Sequence, residues 1–246
     1  MNKELGVIQI IDSLETGGAE VLSVNIANLL KEEGVNSHIC VTRKEGHLKE
    51  NINTNVGYLF LSRKKTIDFK AIVTLKEYIK KNHIKIIHAH SSSLFIVFCV
   101  KLLHPKVKIY WHDHYGKSQD LYKRPSFFLK IMSFFDDSII SVNSSLKKWA
   151  ENTLHCNKVY FLNNFPSFSN IEKKTFLKGI EGKRIVHLAA FRPQKDHETL
   201  IEAFSLLIEE NKDWTLHLVG NVNKDLYSNK ILDLITNLLP TIISSV

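Results

Sequence analysis

The strongest constraint on this chain is a rhythm. Short runs rich in Ile and Val alternate with stretches of helical period along its 246 residues. Strands are expected at residues 7–11, 38–41, 58–61, 84–88, 108–111, 138–142 and 158–161, each bounded by polar punctuation. Helices fall between several of them. Residues 19–33 put Leu22, Ile26, Leu29 and Leu30 on one face, carry Glu20 in the first turn and stop at Gly34. Residues 68–81 repeat the device with Phe69, Ile72, Val73 and Ile79 behind an Asp68 N-cap. Ser144 or Ser145 is expected to cap a further helix running through Trp149. Such alternation predicts an α/β fold, a mostly parallel sheet with helices on both faces.

The rhythm lapses after Asn163-Asn164-Phe165-Pro166, in a stretch of scattered serines and lysines, and then resumes. Strands are expected at 184–188 and 215–219, with helices at 196–210 and near 225–239. The expected organisation is a Rossmann-like N-terminal domain over 1–165, a linker over 166–183 and a smaller unit over 184–246. A two-stranded parallel sheet cannot cover both of its own faces, so the second unit reads as a domain cut short.

Composition narrows the class. The longest uncharged apolar run, residues 94–100, is far below the ~20 residues a membrane span needs. The N-terminus lacks the long apolar core of a secretory signal. Cys40, Cys99 and Cys156 are distant and odd in number, and read as small buried side chains in a reducing, cytoplasmic setting. A surplus of 33 Lys+Arg over 25 Asp+Glu is spread in short pieces, at 63–65, 80–81, 147–148 and 173–174. Solvated helix ends and loops account for it, and a field of this sign also suits anionic small molecules or peripheral contact with an anionic membrane face. No nucleic-acid module or basic stripe is present. The basic, aromatic stretch from Tyr122 to Phe135 reads either as an interfacial helix or, preferred here, as a core helix bearing ordinary surface cations.

Ligands of open parallel sheets bind beyond the carboxyl ends of the strands, and the unusual residues collect there. Gly17-Gly18 opens the first helix, a position that suits an approaching anion or a plain tight turn. His88-Ala89-His90-Ser91 follows the fourth strand, His112-Asp113-His114 the fifth, and Asn143-Ser144 the sixth. The two His-x-His pairs invite a metal reading, but no flanking carboxylate stands at metal-protein spacing, so no metal is assigned. A cleft histidine that bonds a sugar hydroxyl or moves a proton, and a packed histidine with no role, both remain open. In the second unit, Arg192 and Lys195 lie in a loop that enters a helix capped by Asp196 with Ile201, Phe204 and Leu207 beneath. Two cations there could clamp a diphosphate.

With these motifs in order, the sequence resembles the retaining family 4 glycosyltransferases of GT-B fold. The resemblance rests on Gly17-Gly18-Ala19-Glu20, Ile86-Ile87-His88-Ala89-His90-Ser91, Trp111-His112-Asp113-His114 and Ser141-Val142-Asn143-Ser144. It extends to Asn163-Asn164, the loop from Arg192 to Thr199, and Leu216-His217-Leu218-Val219-Gly220-Asn221. It implies a nucleotide-sugar donor bound mainly by the C-terminal domain and a saccharide or lipid-linked acceptor bound by the N-terminal one. Polysaccharide or glycolipid assembly is the implied setting, on the cytoplasmic side and peripheral to the membrane. Gly17 and Gly18 would lie by the donor phosphates and the acceptor, His114 or His112 by the transferred sugar, and His90 and Ser91 on the acceptor side. Lys195, with Arg192, would bind the diphosphate leaving group. No metal or other cofactor is implied for the transfer.

Two departures stand out. Where the family often has Arg after a glycine, five positions before the lysine, this chain has Ala190. The paired-glutamate segment that holds the donor sugar and ribose in the family is not found between Lys224 and Val246. The expectation is therefore a C-terminally truncated enzyme or, alternatively, a non-catalytic acceptor- or partner-binding remnant of one. Other two-domain sugar-nucleotide enzymes, such as epimerases, share the architecture but match these loops less closely.

Overall fold

The computed structural model describes residues 5–165 and 175–238. The chain divides into two compact units, residues 1–169 and 170–246. Most of the linker expected over 166–183, and the lysine pair at 173–174, falls outside the described residues.

The first unit is a seven-stranded sheet of order β3-β2-β1-β4-β5-β6-β7 with every pairing parallel. Its strands are β1 (Gly6–Ser13), β2 (Asn36–Lys44), β3 (Gly57–Phe60), β4 (Ile84–His90), β5 (Lys108–Asp113), β6 (Ser138–Ser141) and β7 (Val159–Phe161). The helices are α1 (Gly18–Glu32), α2 (Phe69–Lys81), α3 (Leu94–Leu103), α4 (Phe127–Ser133) and α5 (Ser144–Thr153). All seven expected strands form. Ile10 and Cys40 bury against α2 and α3, while their chain neighbours Ile11, Ile39 and Val41 bury with Val24 and Ala27 of α1. Period-2 alternation sends these neighbours to opposite faces, so both faces are covered.

Several local expectations are corrected. In α1, Ser23, Val24, Asn25 and Ala27 join Leu22 on the buried side while Leu29 is exposed, and in α2 the buried side is Ala71, Ile72, Leu75 and Ile79. The expected Phe69 and Val73 lie off this side of the helix and stay exposed. Asp68 caps α2 as expected, accepting from the Ala71 N–H at 3.1 Å. The cap of α5 is Asn143, whose Oδ1 accepts from the Leu146 N–H at 2.8 Å, one residue before the expected serines. The stretch from Tyr122 to Phe135 is not a core helix. Only Met132 and Ser133 of α4 are buried, and Phe127, Phe128 and Phe134 face solvent.

The second unit pairs β8 (Arg184–Leu188) with β9 (Thr215–Val219) in parallel, flanked by α6 (His197–Glu210) and α7 (Leu226–Leu238). Phe191, Ile201, Phe204, Leu216, Leu218 and Ile231 form its core. Gly220 is required here by close approach, because a Cβ at this position would overlap the Ala189 carbonyl. Among the described residues, no helix is long and apolar enough to cross a membrane.

Candidate active site

Parallel strands deliver their carboxyl ends to one edge, and in the first unit that edge is polar. After β1, Gly17 holds the N-cap of α1 in extended backbone, and Gly18 begins the helix. A Cβ on Gly17 would meet the Glu20 carboxylate, and one on Gly18 would lie 3.5 Å from Asn164 Nδ2. The Asn25 amide adds a hydrogen bond, donating to the Phe165 carbonyl at 3.4 Å. The glycine pair and the chain exit at Asn164 thus come together, with the positive end of α1 between them.

Next along the edge are four histidines, and here the strands run further than expected. His88 and His90 belong to β4 and His112 to β5, with His90 directly opposite His112 in the register. Their chain neighbours Ile87, Ala89 and Trp111 bury in the core beside α3, so the imidazoles occupy the opposite face, toward Gln9 of β1. The apolar pattern stops early in the sequence, whereas the strands continue because the rings pack on one another. His88 lies 4.4 Å from His90 and 5.2 Å from His112, and His112 lies 4.2 Å from His114, ring centre to ring centre.

Hydrogen bonding fixes the central ring. His90 Nε2–H donates to Gln9 Oε1 at 2.9 Å, which leaves Nδ1 to accept from His114 Nε2–H at 3.1 Å. His88 Nε2, both nitrogens of His112 and His114 Nδ1 are buried with no hydrogen-bond partner. Burial, the dominant cause, lowers His88 to about 3, His112 to about 2 and His114 to about 4, and puts His90 well below its ordinary value. Mutual repulsion adds to this in the first three residues of the stack, His88, His90 and His112. All four rings are neutral at pH 7.

His114 differs from His112 in reaching solvent. With Ser91, Trp111, Asp113, Tyr115 and Arg124 it lines a cavity of about 450 Å³. Ser91 enters the turn after β4 with φ 51°, a left-handed conformation that costs a non-glycine residue about 1 kcal/mol or more. Its carbonyl accepts from Trp111 Nε1–H at 3.0 Å, which holds the turn against β5.

The wall of this cavity holds a pair that sequence reading missed. Arg124 donates to both carboxylate oxygens of Asp113, at 2.6 and 2.9 Å, with the two side chains 7% and 2% exposed. Its guanidinium also sits 4.3 Å from the Tyr115 ring centre and 4.4 Å from that of Trp149. Arg124 is therefore not the surface cation expected from its basic neighbourhood. Arg63, expected as a solvated cation, is likewise buried. It donates to Asp12 at 3.1 Å, and Asp12 also accepts from Thr42 and from Ser92, the latter at 2.7 Å. Asp12, Arg43, Arg63 and Ser92 border a second cavity of about 500 Å³. The only sequence hints were polar residues, Gln9 and Asp12, within or just after an apolar run.

In the second unit, Arg192 and Lys195 are exposed; Arg192 caps and Lys195 ends the 3-10 turn Pro193–Lys195 that precedes α6. Asp196 does not cap α6 as expected. It occupies the N-cap position at φ 49°, a left-handed geometry in which its side chain makes no capping hydrogen bond. The expected site residues thus form two sets. Gly17, Gly18, His90, Ser91, His112 and His114 share the polar edge of the first unit, and Arg192 and Lys195 share one turn of the second.

Comparison with solved structures yields the same architecture. A glycosyltransferase from Rickettsia africae superposes with a TM-score of 0.68 at 16% identity, over 99% of this chain and 69% of that one. TarM of S. aureus, in complex with UDP, gives 0.70 at 10% identity over 98% and 77%. HepE of Anabaena, in complex with UDP and glucose, gives 0.71 at 12% identity over 98% and 69%. At these identities the likeness is one of fold, the GT-B fold with its Rossmann-like domains. No curated protein sequence matches significantly. The glycosyltransferase family 4 model matches residues 16–165, which is more than half of the chain and carries the glycine pair, all four histidines and Asn164. The chain belongs to glycosyltransferase family 4.

Proposed function

We propose that this protein transfers a sugar from a nucleotide-sugar donor to a saccharide or lipid-linked acceptor in polysaccharide or glycolipid assembly. The observation that carries the reading is His114, the one ring of the stack that lines the 450 Å³ cavity, beside the paired Asp113 and Arg124. A neutral imidazole there can accept a hydrogen bond from a hydroxyl of the transferred sugar, while the fully buried His112 backs it. Ser91, which lines the cavity, belongs to the acceptor side; His90, expected there too, is fully buried with both ring nitrogens bonded and backs the site instead. Gly17 and Gly18 at the start of α1 let backbone N–H groups approach a phosphate.

The second unit supplies the cations. Arg192 and Lys195 bind the diphosphate, whose developing charge as leaving group is the main electrostatic demand of the reaction. The exposed Phe127, Phe128 and Phe134, with Lys123 and Lys130 nearby, favour peripheral contact with an anionic membrane on the cytoplasmic side, where a lipid-linked acceptor resides.

Titration with UDP and UDP-sugars, followed by radiolabelled transfer, tests this reading. Millimolar or tighter nucleotide binding that is lost in Lys195→Ala is expected. His114→Ala should retain nucleotide binding and lose transfer. Saccharide binding with no nucleotide binding at all would replace the enzyme with an acceptor-binding module.

A further inference from the structure

The stacked histidines hold more bonding capacity than the transfer reaction uses. His88, His90 and His112 each present a ring nitrogen, and these three atoms lie within 4.8 Å of one another. All three residues are buried. Buried polar nitrogens normally find a partner, yet His88 Nε2 and both His112 nitrogens have none. Apolar packing alone does not account for three convergent imidazoles, two of which carry unpartnered ring nitrogens.

We propose that His88, His90 and His112 form a binding site for one divalent transition-metal ion of the zinc class. Three observations support it independently of the transferase reading. The first is convergence: period 2 in β4 puts His88 and His90 on one face, and the parallel register sets His112 beside His90. Three neutral nitrogens with no carboxylate or thiolate among them select Zn²⁺, Co²⁺, Ni²⁺ or Cu²⁺ over Mg²⁺ or Ca²⁺. The second is orientation. His90 Nε2–H donates to the buried Gln9 Oε1, the outer hydrogen bond that typically fixes the tautomer of a metal-bound histidine and turns its other nitrogen toward the ion. The third is the unpartnered nitrogens themselves, which an ion satisfies.

The expectation of no metal rested on the lack of a flanking carboxylate in sequence. Three imidazoles suffice when the sheet brings them together. His114 Nε2 now contacts His90 Nδ1 at 3.1 Å, so an ion held at that nitrogen takes the place of this contact and leaves His114 to the cavity. The ion would join the ends of β4 and β5 behind the sugar-facing ring. It is a positioning element and takes no part in the transfer step.

The test uses the full 246-residue chain without an affinity tag, stripped with a chelator and titrated with Co²⁺. One equivalent should bind with visible ligand-field bands, and Zn²⁺ should displace it. His88→Ala and His112→Ala should each weaken binding by about 100-fold or more, and Gln9→Ala by about 10-fold, while Gln9→Glu retains it. His47→Ala, at an exposed histidine, should leave the titration unchanged. Should the alanine variants fail to fold, X-ray absorption on the Zn²⁺-loaded parent chain decides the matter. Three imidazole nitrogens at about 2.0–2.1 Å support the site. An oxygen-only shell, absence of stoichiometric binding, or equal binding in folded His88→Ala and His112→Ala overturns it.

Discussion

The two units solve the same packing problem to different degrees. Both are parallel sheets flanked by helices, yet the first places apolar side chains from successive residues into cores on opposite faces. The second buries Leu216 and Leu218, with Ile185 half-buried beside them, in one core with α6 and α7, while Val186 and Leu188 on the other side of β8 are 50% and 80% exposed. Parallel sheets are stable when both faces are covered. The difference separates two kinds of stability: the polar rim of the first unit rests on a two-sided core, and the loop of Arg192 and Lys195 rests on a one-sided one.

Four substitutions probe this contrast. The largest effect is expected for Arg124→Ala in the first unit. It leaves the buried Asp113 carboxylate unpaired and should cost about 3–5 kcal/mol in denaturant unfolding. A loss under 1 kcal/mol would mean that Asp113 finds water instead.

Asp136 tests the same unit through pH. Both of its oxygens are buried without a hydrogen-bond partner, and burial first, then the Asp137 charge, raises its carboxyl to about 8. The unfolded chain releases that proton near the ordinary value of 3.8, so between 3.8 and about 8 the folded state holds the extra proton. Stability therefore falls as pH rises through this window. Asp136→Asn should flatten the slope and stabilise the protein by on the order of a few kcal/mol at pH 8, with little change near pH 3. An unchanged slope in thermal melts across this range would contradict the burial argument.

In the second unit, Gly220→Ala forces a Cβ against the Ala189 carbonyl and should cost about 1–3 kcal/mol. Hydrogen exchange should localise the loss to β8 and β9 and leave β1 and β4 protected. The smallest effect belongs to Leu188→Gln, expected within about 0.5 kcal/mol because that face of β8 is exposed. A loss beyond 1 kcal/mol would show that the face is covered in solution, and the contrast between the units would narrow.

Legibility followed the same division. The seven strands of the first sheet could be read because parallel-sheet strands are continuous apolar runs, a purely local signal. Their ends could not be read. The runs stop at His88 and Trp111 while the strands continue to His90 and Asp113, because imidazole–imidazole packing and the bond to Gln9 replace apolar burial. The glycine pair was legible as the entry to a helix, whereas its nearness to Asn164 depends on a chain return over more than a hundred residues. Arg124 and Arg63 were misread because a cation's burial is set by the carboxylate that meets it, and Asp113 and Asp12 lie on other elements.

By itself the sequence determined the α/β alternation, the lapse in that rhythm after Asn163-Asn164 and the polar character of the strand-end loops, since periodicity and turn chemistry act over a few residues. Tertiary structure alone decided which histidine reaches the cavity and which three converge behind it. It also decided which cations are buried in pairs and which face of β8 is left open. These depend on register and on distances between elements far apart in the chain, and no local pattern encodes them.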